Sequence, residues 1–335
     1  MTKVSFLFRK VDFESYTDEQ RGYDFRDNEK VSYEGLGEFS TDLFSRKAVN
    51  IIETHNKSQP LFLYVPFQAP HGPIQTPPQK YRSMYDGKRL RNNIDLDMAA
   101  TITALDTAVG EIYDALKRTG LYQNSVIIFT TDNGGAVTEN SNLPLKGTKE
   151  QLYEGGVKGV GFVNSPLLRK SGISSDRLMF ITDWFSTILN LASLGHKIPE
   201  DTDSIDIWPT ISRQNKSPRD RIILNIDQDN REGLWSAAIM DGKYKLIWGQ
   251  DYLLKQKMPQ DSCKFELYNL KKDPLETTNL AAGGKMKNKV EELKNILMEE
   301  YKTRLVPADY PFPTSAGFPV NWDGILSPGW CSAKV

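Results

Sequence analysis

The sequence predicts an α/β protein: a large, mostly parallel sheet flanked by helices, then a small C-terminal α+β part of antiparallel sheet plus helix. Three observations carry that reading. The runs "LFLYVPF" and "SVIIFTTDNGG" begin with the unbroken hydrophobicity of strands buried on both faces. The stretch between them has the period of a long helix, and strand–helix–strand with short links favours a parallel sheet. After "RQNKSPR", Arg213 to Arg219, the pattern changes to hairpins.

In chain order, the N-terminal "MTKVSFLFRKVDFESYTDEQ" holds only a short apolar stretch, Val4 to Phe8, followed by Arg9, Lys10 and Asp12. That is not the pattern of a signal peptide. "STDLFSRKAVNIIETHN" predicts a helix with Ser40 or Thr41 as N-cap and Leu43, Phe44, Ala48, Ile51 and Ile52 on one face. The Leu61–Phe67 run ends in a proline-rich turn that holds His71 between Pro70 and Gly72. "DLDMAATITALDTAVGEIYDALKRTG" predicts a second helix with Met98, Ile102, Leu105, Val109, Ile112 and Leu116 as its apolar face and Gly120 as its C-cap. "SVIIFTT" and "VKGVGFVNS" follow as strands. Further on, "WSAAIMDGKYKLIWG" reads as a hairpin turning at Asp241-Gly242. "KFELYNLKKDP" adds a strand and a turn, and "KMKNKVEELKNILMEEYKTRL" an amphipathic helix. The expected division is residues 1–218 as the catalytic α/β part and 219–335 as the small C-terminal part with its tail.

The 335 residues are 25% charged and 39% apolar, an ordinary globular composition. A formal net charge of −1 gives no overall pull toward nucleic acid or anionic membrane. No apolar run approaches the roughly 18 residues of a membrane span. Cys263 and Cys331 lack metal-ligand spacing and read either as two thiols or as one bridge. Asn56-Lys57-Ser58 and Asn215-Lys216-Ser217 are N-glycosylation acceptor triplets, the second weakened by Pro218.

Ligands of parallel sheets bind outside the carboxyl ends of the strands, where both His71 and Asp132 fall. Asp132 and Asn133 offer adjacent oxygens suited to a hard cation, or simply form an Asx turn ahead of two glycines. Those glycines would let backbone approach a ligand. Lys149, like Lys146, lies in a loop between predicted strands. Such a lysine is either solvated or aimed at a phosphate or sulfate oxygen. His71 either shapes its turn or serves as a general acid or oxyanion donor.

The segments "LFLYVPFQAPHGPIQTPPQKY", "IIFTTDNGG", "LKGTKEQLYEGGVKGVGFVNSPLL" and "ITDWFSTILNLA" occur in this order and spacing. Together they resemble the sulfatase family, in its arylsulfatase B type, and "RGYDFRDNEKV" and "FELYNLKKDPLETTNLA" extend the likeness from Arg21 to about Ala282. The resemblance implies an alkaline-phosphatase-like fold and hydrolysis of sulfate esters, on glycosaminoglycans or aryl sulfates. It implies that His71 contacts the sulfate ester near its leaving oxygen and that Lys149 holds the sulfate. Asp132 and Asn133 would be two ligands of an active-site calcium, and all four residues would share one cleft. It also implies a lysosomal or extracellular setting.

One departure stands out. The family's nucleophile is a formylglycine made within a C/S-x-P-S-R type motif, yet Cys263 precedes "KFEL" and Cys331 precedes "SAKV". The N-terminal Asp-Asp metal pair is missing too, so the chain resembles a sulfatase that starts after those elements. The expectation is therefore a catalytic domain incomplete at its N-terminus and inactive by itself. The alternatives are a non-catalytic binder of sulfated glycans and a phosphate-ester hydrolase of the same superfamily.

Overall fold

The computed structural model describes residues 6–7, 25–72, 74–90, 94–136, 142–229, 234–249, 265–304 and 319–324. Both cysteines lie outside them. By its internal contacts the chain divides into two units, Met1–Tyr122 with Ala308–Val335, and Gln123–Pro307.

In the first unit, β1 (Phe6–Leu7), β2 (Arg26–Asp27) and β3 (Lys30–Val31) form a small antiparallel sheet. Helix α1 (Ser40–Thr54) buries Leu43, Phe44, Ala48 and Ile52, but its N-cap is Phe39, with no side-chain cap, and Ser40 is already inside the helix. A short helix, α2 (Gln79–Arg82), leads toward α3 (Leu96–Thr119). The Asp95 side chain caps α3 by accepting from the N–H groups of Asp97 and Met98, and Gly120 closes it at φ 78°. The buried stripe of α3 keeps Met98 and Leu116 of the expected face but runs through alanines between them. Ala100, Ala104 and Ala108 are buried, while Ile102 is 42% exposed. Tyr81 packs directly against Ala100 and Ala104, so bulky neighbours fill the space that small residues leave.

The stretch Leu61–Phe67 is extended but joins no ladder among the described residues. Its pleat is nevertheless that of a strand. Val65 and Phe67 pack toward Phe25, Leu43 and Phe44, while Phe62 and Tyr64 stay 58% and 69% exposed.

In the second unit, β4 (Ile127–Thr130) pairs with β5 (Gly161–Asn164) in antiparallel register, Ile128 opposite Val163 and Phe129 opposite Phe162. Between them lies the one-turn helix α4 (Glu154–Val157); α5 (Asp183–Leu191) and α6 (Trp208–Arg213) follow β5. A four-stranded antiparallel sheet of β6 (Arg221–Asp229), β7 (Leu234–Asp241), β8 (Tyr244–Trp248) and β9 (Phe265–Asn269) comes next, then α7 (Lys287–Arg304). The expected hairpin exists, with Gly242-Lys243 as its two-residue loop and Gly242 at φ 58°.

Alternation divides this sheet into two faces. Ala237, Ile239, Leu246, Trp248 and Leu267 pack on Val290, Leu293 and Leu297 of α7. Ala238, Ile247 and Tyr268 face the other way, onto Leu152 and Tyr153. The loop before α4 thus rests on one side of the C-terminal sheet, and α7 rests on the other.

Candidate functional site

Strand β4 delivers Asp132 and Asn133 into a loop at its carboxyl end. The Asn133 N–H donates to Asp132 Oδ1 at 2.8 Å, and Asn133 Nδ2 donates to the Gly134 carbonyl at 2.9 Å. Each side chain is thus oriented by a hydrogen bond to the backbone of the next residue, not by the Asx turn the sequence offered. Asp132 is exposed and Asn133 half-buried.

The glycines behind them have a specific use. A Cβ on Gly134 would lie 1.8 Å from the Gly155 carbonyl oxygen, and one on Gly156 would lie 2.1 Å from that of Gln151. Two backbone segments cross here at a distance only glycine permits. Where the sequence suggests a ligand against Gly134, the structure puts the neighbouring chain segment.

That crossing brings Lys149 to the Asp132 loop. Its N–H donates to the Gly135 carbonyl at 2.9 Å, and Gly134 N–H donates to the Gly156 carbonyl at 2.9 Å. Asn142 ties the same loops: its Oδ1 accepts from Gly135 N–H at 2.9 Å, and its Nδ2 donates to the carbonyls of Gly135 at 2.9 Å and Gly147 at 3.1 Å. Asp132, Asn133 and Lys149 are thus carried on one interlocked pair of loops.

Lys146 has a different role. Its ammonium stands 3.9 Å from the Tyr153 ring centre and 3.0 Å from the Tyr268 hydroxyl. Tyr153 and Tyr268 both donate to the Glu266 carboxylate. Burial, reinforced by that carboxylate, pushes the Tyr268 phenol far above its ordinary range, so it remains a donor. Lys146 is an anchor to β9.

His71 belongs to the first unit and the other three residues to the second. It is exposed, and its N–H donates to the Gln68 carbonyl at 2.7 Å. Nδ1 lies 2.5 Å from the Gly72 carbonyl. A carbonyl only accepts, so Nδ1 carries the proton and Nε2 is the basic nitrogen of the neutral ring.

Asp132 and Asn133 fit the chemistry of a calcium ion, since each has a side-chain oxygen outside the hydrogen bonds described above. Among the described residues no group of three His, Cys, Asp or Glu stands close enough to hold a metal. The pair supplies part of a shell.

Sequence reasoning missed the ions beneath these loops. Lys245 of β8 is 0% exposed and contacts Glu154 at 3.0 Å and Glu276 at 2.9 Å. Glu276 Oε2 also accepts from the Glu154 N–H at 2.6 Å. Burial raises the Glu276 pKa despite the opposing Lys245 charge. A second, part-buried pair joins buried Asp183 at the start of α5 to Arg219 through two guanidinium nitrogens. Asp183 also accepts from the N–H groups of Phe180 and Ile205. One signal was available: a lysine inside the buried strand "YKLIW" demands a partner.

The family described as sulfatase matches residues 3–194 of the chain. Arylsulfatase J of Mus musculus is 41% identical over 227 residues, covering 65% of this chain and 37% of its own length. N-acetylgalactosamine-6-sulfatase of Mus musculus is 31% identical over 177 residues, 51% of this chain and 32% of its own. The crystal structure of Ps i-CgsB in complex with k-i-k-neocarrahexaose superposes with a TM-score of 0.71 at 26% identity, covering 89% of this chain and 61% of that one. The chain spans about a third of the length of these two curated relatives.

Proposed function

The chain belongs to the sulfatase family, with its alkaline-phosphatase-like fold, and from that premise we propose that it carries the sulfate-gripping part of a sulfuric ester hydrolase for sulfated carbohydrates. The observation that supports this most is the interlocked loop pair presenting Asp132, Asn133 and Lys149 together.

In this reading His71, as the family resemblance implies, serves the same reaction as those three residues. Lys149 places a point charge on a sulfate oxygen. His71 faces the leaving oxygen, its tautomer fixed by the Gly72 carbonyl. Calcium, when bound, would supply charge stabilisation at the sulfate oxygens, with Asp132 and Asn133 among its holders. No C/S-x-P-S-R motif stands anywhere in these 335 residues, so no covalent step is assigned to them. A relative named for N-acetylgalactosamine-6-sulfate and a neighbour holding a neocarrahexaose favour a sulfated glycan as the ligand.

We further propose residues 1–218 as the remainder of the catalytic part and 219–335 as the C-terminal subdomain, and a lysosomal or extracellular setting for the protein. No helix among the described residues is long and apolar enough to cross a membrane. In such a setting Asn56 is the better glycan acceptor. It is exposed, and its Oδ1 accepts from Ser58 N–H at 3.1 Å and Ser58 Oγ at 2.9 Å. The matching hydroxyl beside Asn215 is engaged elsewhere: Ser217 is buried and donates to the Leu178 carbonyl at 2.6 Å.

The test is calorimetric titration with a sulfated N-acetylgalactosamine saccharide alongside a chromogenic aryl sulfate assay. We expect saccharide binding that Lys149→Ala abolishes, and no turnover above that variant. Calcium should bind only near the millimolar end of the protein range. The lack of a nucleophile motif favours, as a second reading, a non-catalytic glycan binder. Hydrolysis of a phosphate monoester, with no response to the sulfated sugar, would instead make the chain a phosphatase relative.

A further inference from the structure

We infer that Lys245 is a positioning residue for the Lys149 loop, acting from the far C-terminal sheet through Glu154 and Glu276. The inference rests on the reading of Lys149 as a sulfate-binding group.

The loop from Asn142 to Val157 is held from two sides. On one side the Lys149 and Gly134 N–H groups bond across the crossing already described. Inside the loop, Gly155 N–H closes onto the Lys146 carbonyl at 2.7 Å, so residues 146–155 form a knot whose end is Glu154. On the other side that end is nailed to the sheet. Lys245 Nζ bridges Glu154 and Glu276, and Glu276 Oε2 takes the Glu154 N–H, so side chain and backbone of Glu154 are fixed by the same pair.

Energetics indicate what this arrangement is for. A buried ion group is commonly no more stabilising than apolar residues of the same volume, because desolvation offsets the attraction. What the triad does provide is direction: Glu154 can sit in one place only, as the pleat of β8 and the backbone of Glu276 dictate. Since Glu154 is five residues from Lys149 in a knotted loop, the position of Lys149 inherits that constraint. The Lys146–Glu266–Tyr153 group adds a second anchor to the neighbouring strand β9.

The experiment compares the full chain with Lys245→Met and with Glu276→Ala, which removes the oxygen that takes the Glu154 N–H together with one partner of Lys245. Hydrogen exchange is followed in peptides covering 142–157 and in β7 as an internal reference, and inorganic sulfate is titrated calorimetrically. We expect exchange in 142–157 to rise roughly tenfold while β7 stays within about twofold. Sulfate binding should weaken roughly tenfold. Equal acceleration in both regions would show a merely structural role and overturn the inference, as would wild-type exchange in the loop of either folded variant. If Lys245→Met does not fold, Glu276→Ala decides by the same two readings. If the unaltered chain binds no sulfate, the proposed function fails by itself, whereas the exchange data still rule on the link from Lys245 to the loop.

Discussion

Gly134 shows how much can hang on one absent methyl group. A Cβ there would meet the Gly155 carbonyl at 1.8 Å, a backbone atom that no rotamer change can move aside. Gly134→Ala should therefore lower stability by about 1–3 kcal/mol, the usual penalty of forced overpacking, and loosen the Asp132 loop with it. Gly110, inside α3, has open space for 4 Å around the point where a methyl group would stand, so Gly110→Ala should stabilise by about 0.5–1 kcal/mol through helix propensity. Denaturant midpoints of the two variants check both signs, and a neutral Gly134→Ala would refute the crossing geometry.

At the scale of elements, the sheet of the second unit depends on α7. Leu293 is fully buried between that helix and the strands, so Leu293→Ala should cost about 2–5 kcal/mol. Exposed Lys302 on the same helix should tolerate alanine within about 0.5 kcal/mol. Thermal melts of the pair give the comparison, and similar shifts for both would contradict the packing. Helices α1, α3 and α7 were legible in the sequence because their period is sustained, and Gly120 closes α3 where expected, while the Asp95 cap went unread. The buried face of α3 was legible only at Met98 and Leu116, because the alanine stripe between them carries little hydrophobic signal. Strand β6 escaped notice for another reason. A register shift between Ile223 and Asn225 breaks the two-residue alternation that marks a strand. For the candidate site, motif order singles out Asp132, Asn133 and Lys149, and their loops prove to be hydrogen-bonded to each other. Their support was not legible, since Lys245 lies 91 residues from Glu154 and ion pairs at such separations leave no local pattern.

For the molecule as a whole, two units imply that heat or denaturant need not unfold the chain in one step. Leu293→Ala should move only the transition of residues 123–307, and a single shared shift would show one cooperative body. The extended run Leu61–Phe67 has a consequence for solubility. Leu61 to Val65 is uncharged, rich in strand formers and outside any ladder among the described residues, the composition of a segment that recruits copies of itself. Pro66 lacks the N–H that would continue such a stack, and so acts as a gatekeeper at its end. Dilution of the chain from denaturant should then scatter little light, whereas Pro66→Val should turn the same solution cloudy at equal concentration. The proline that ends the strand would be what keeps the refolding chain from becoming a fibril seed.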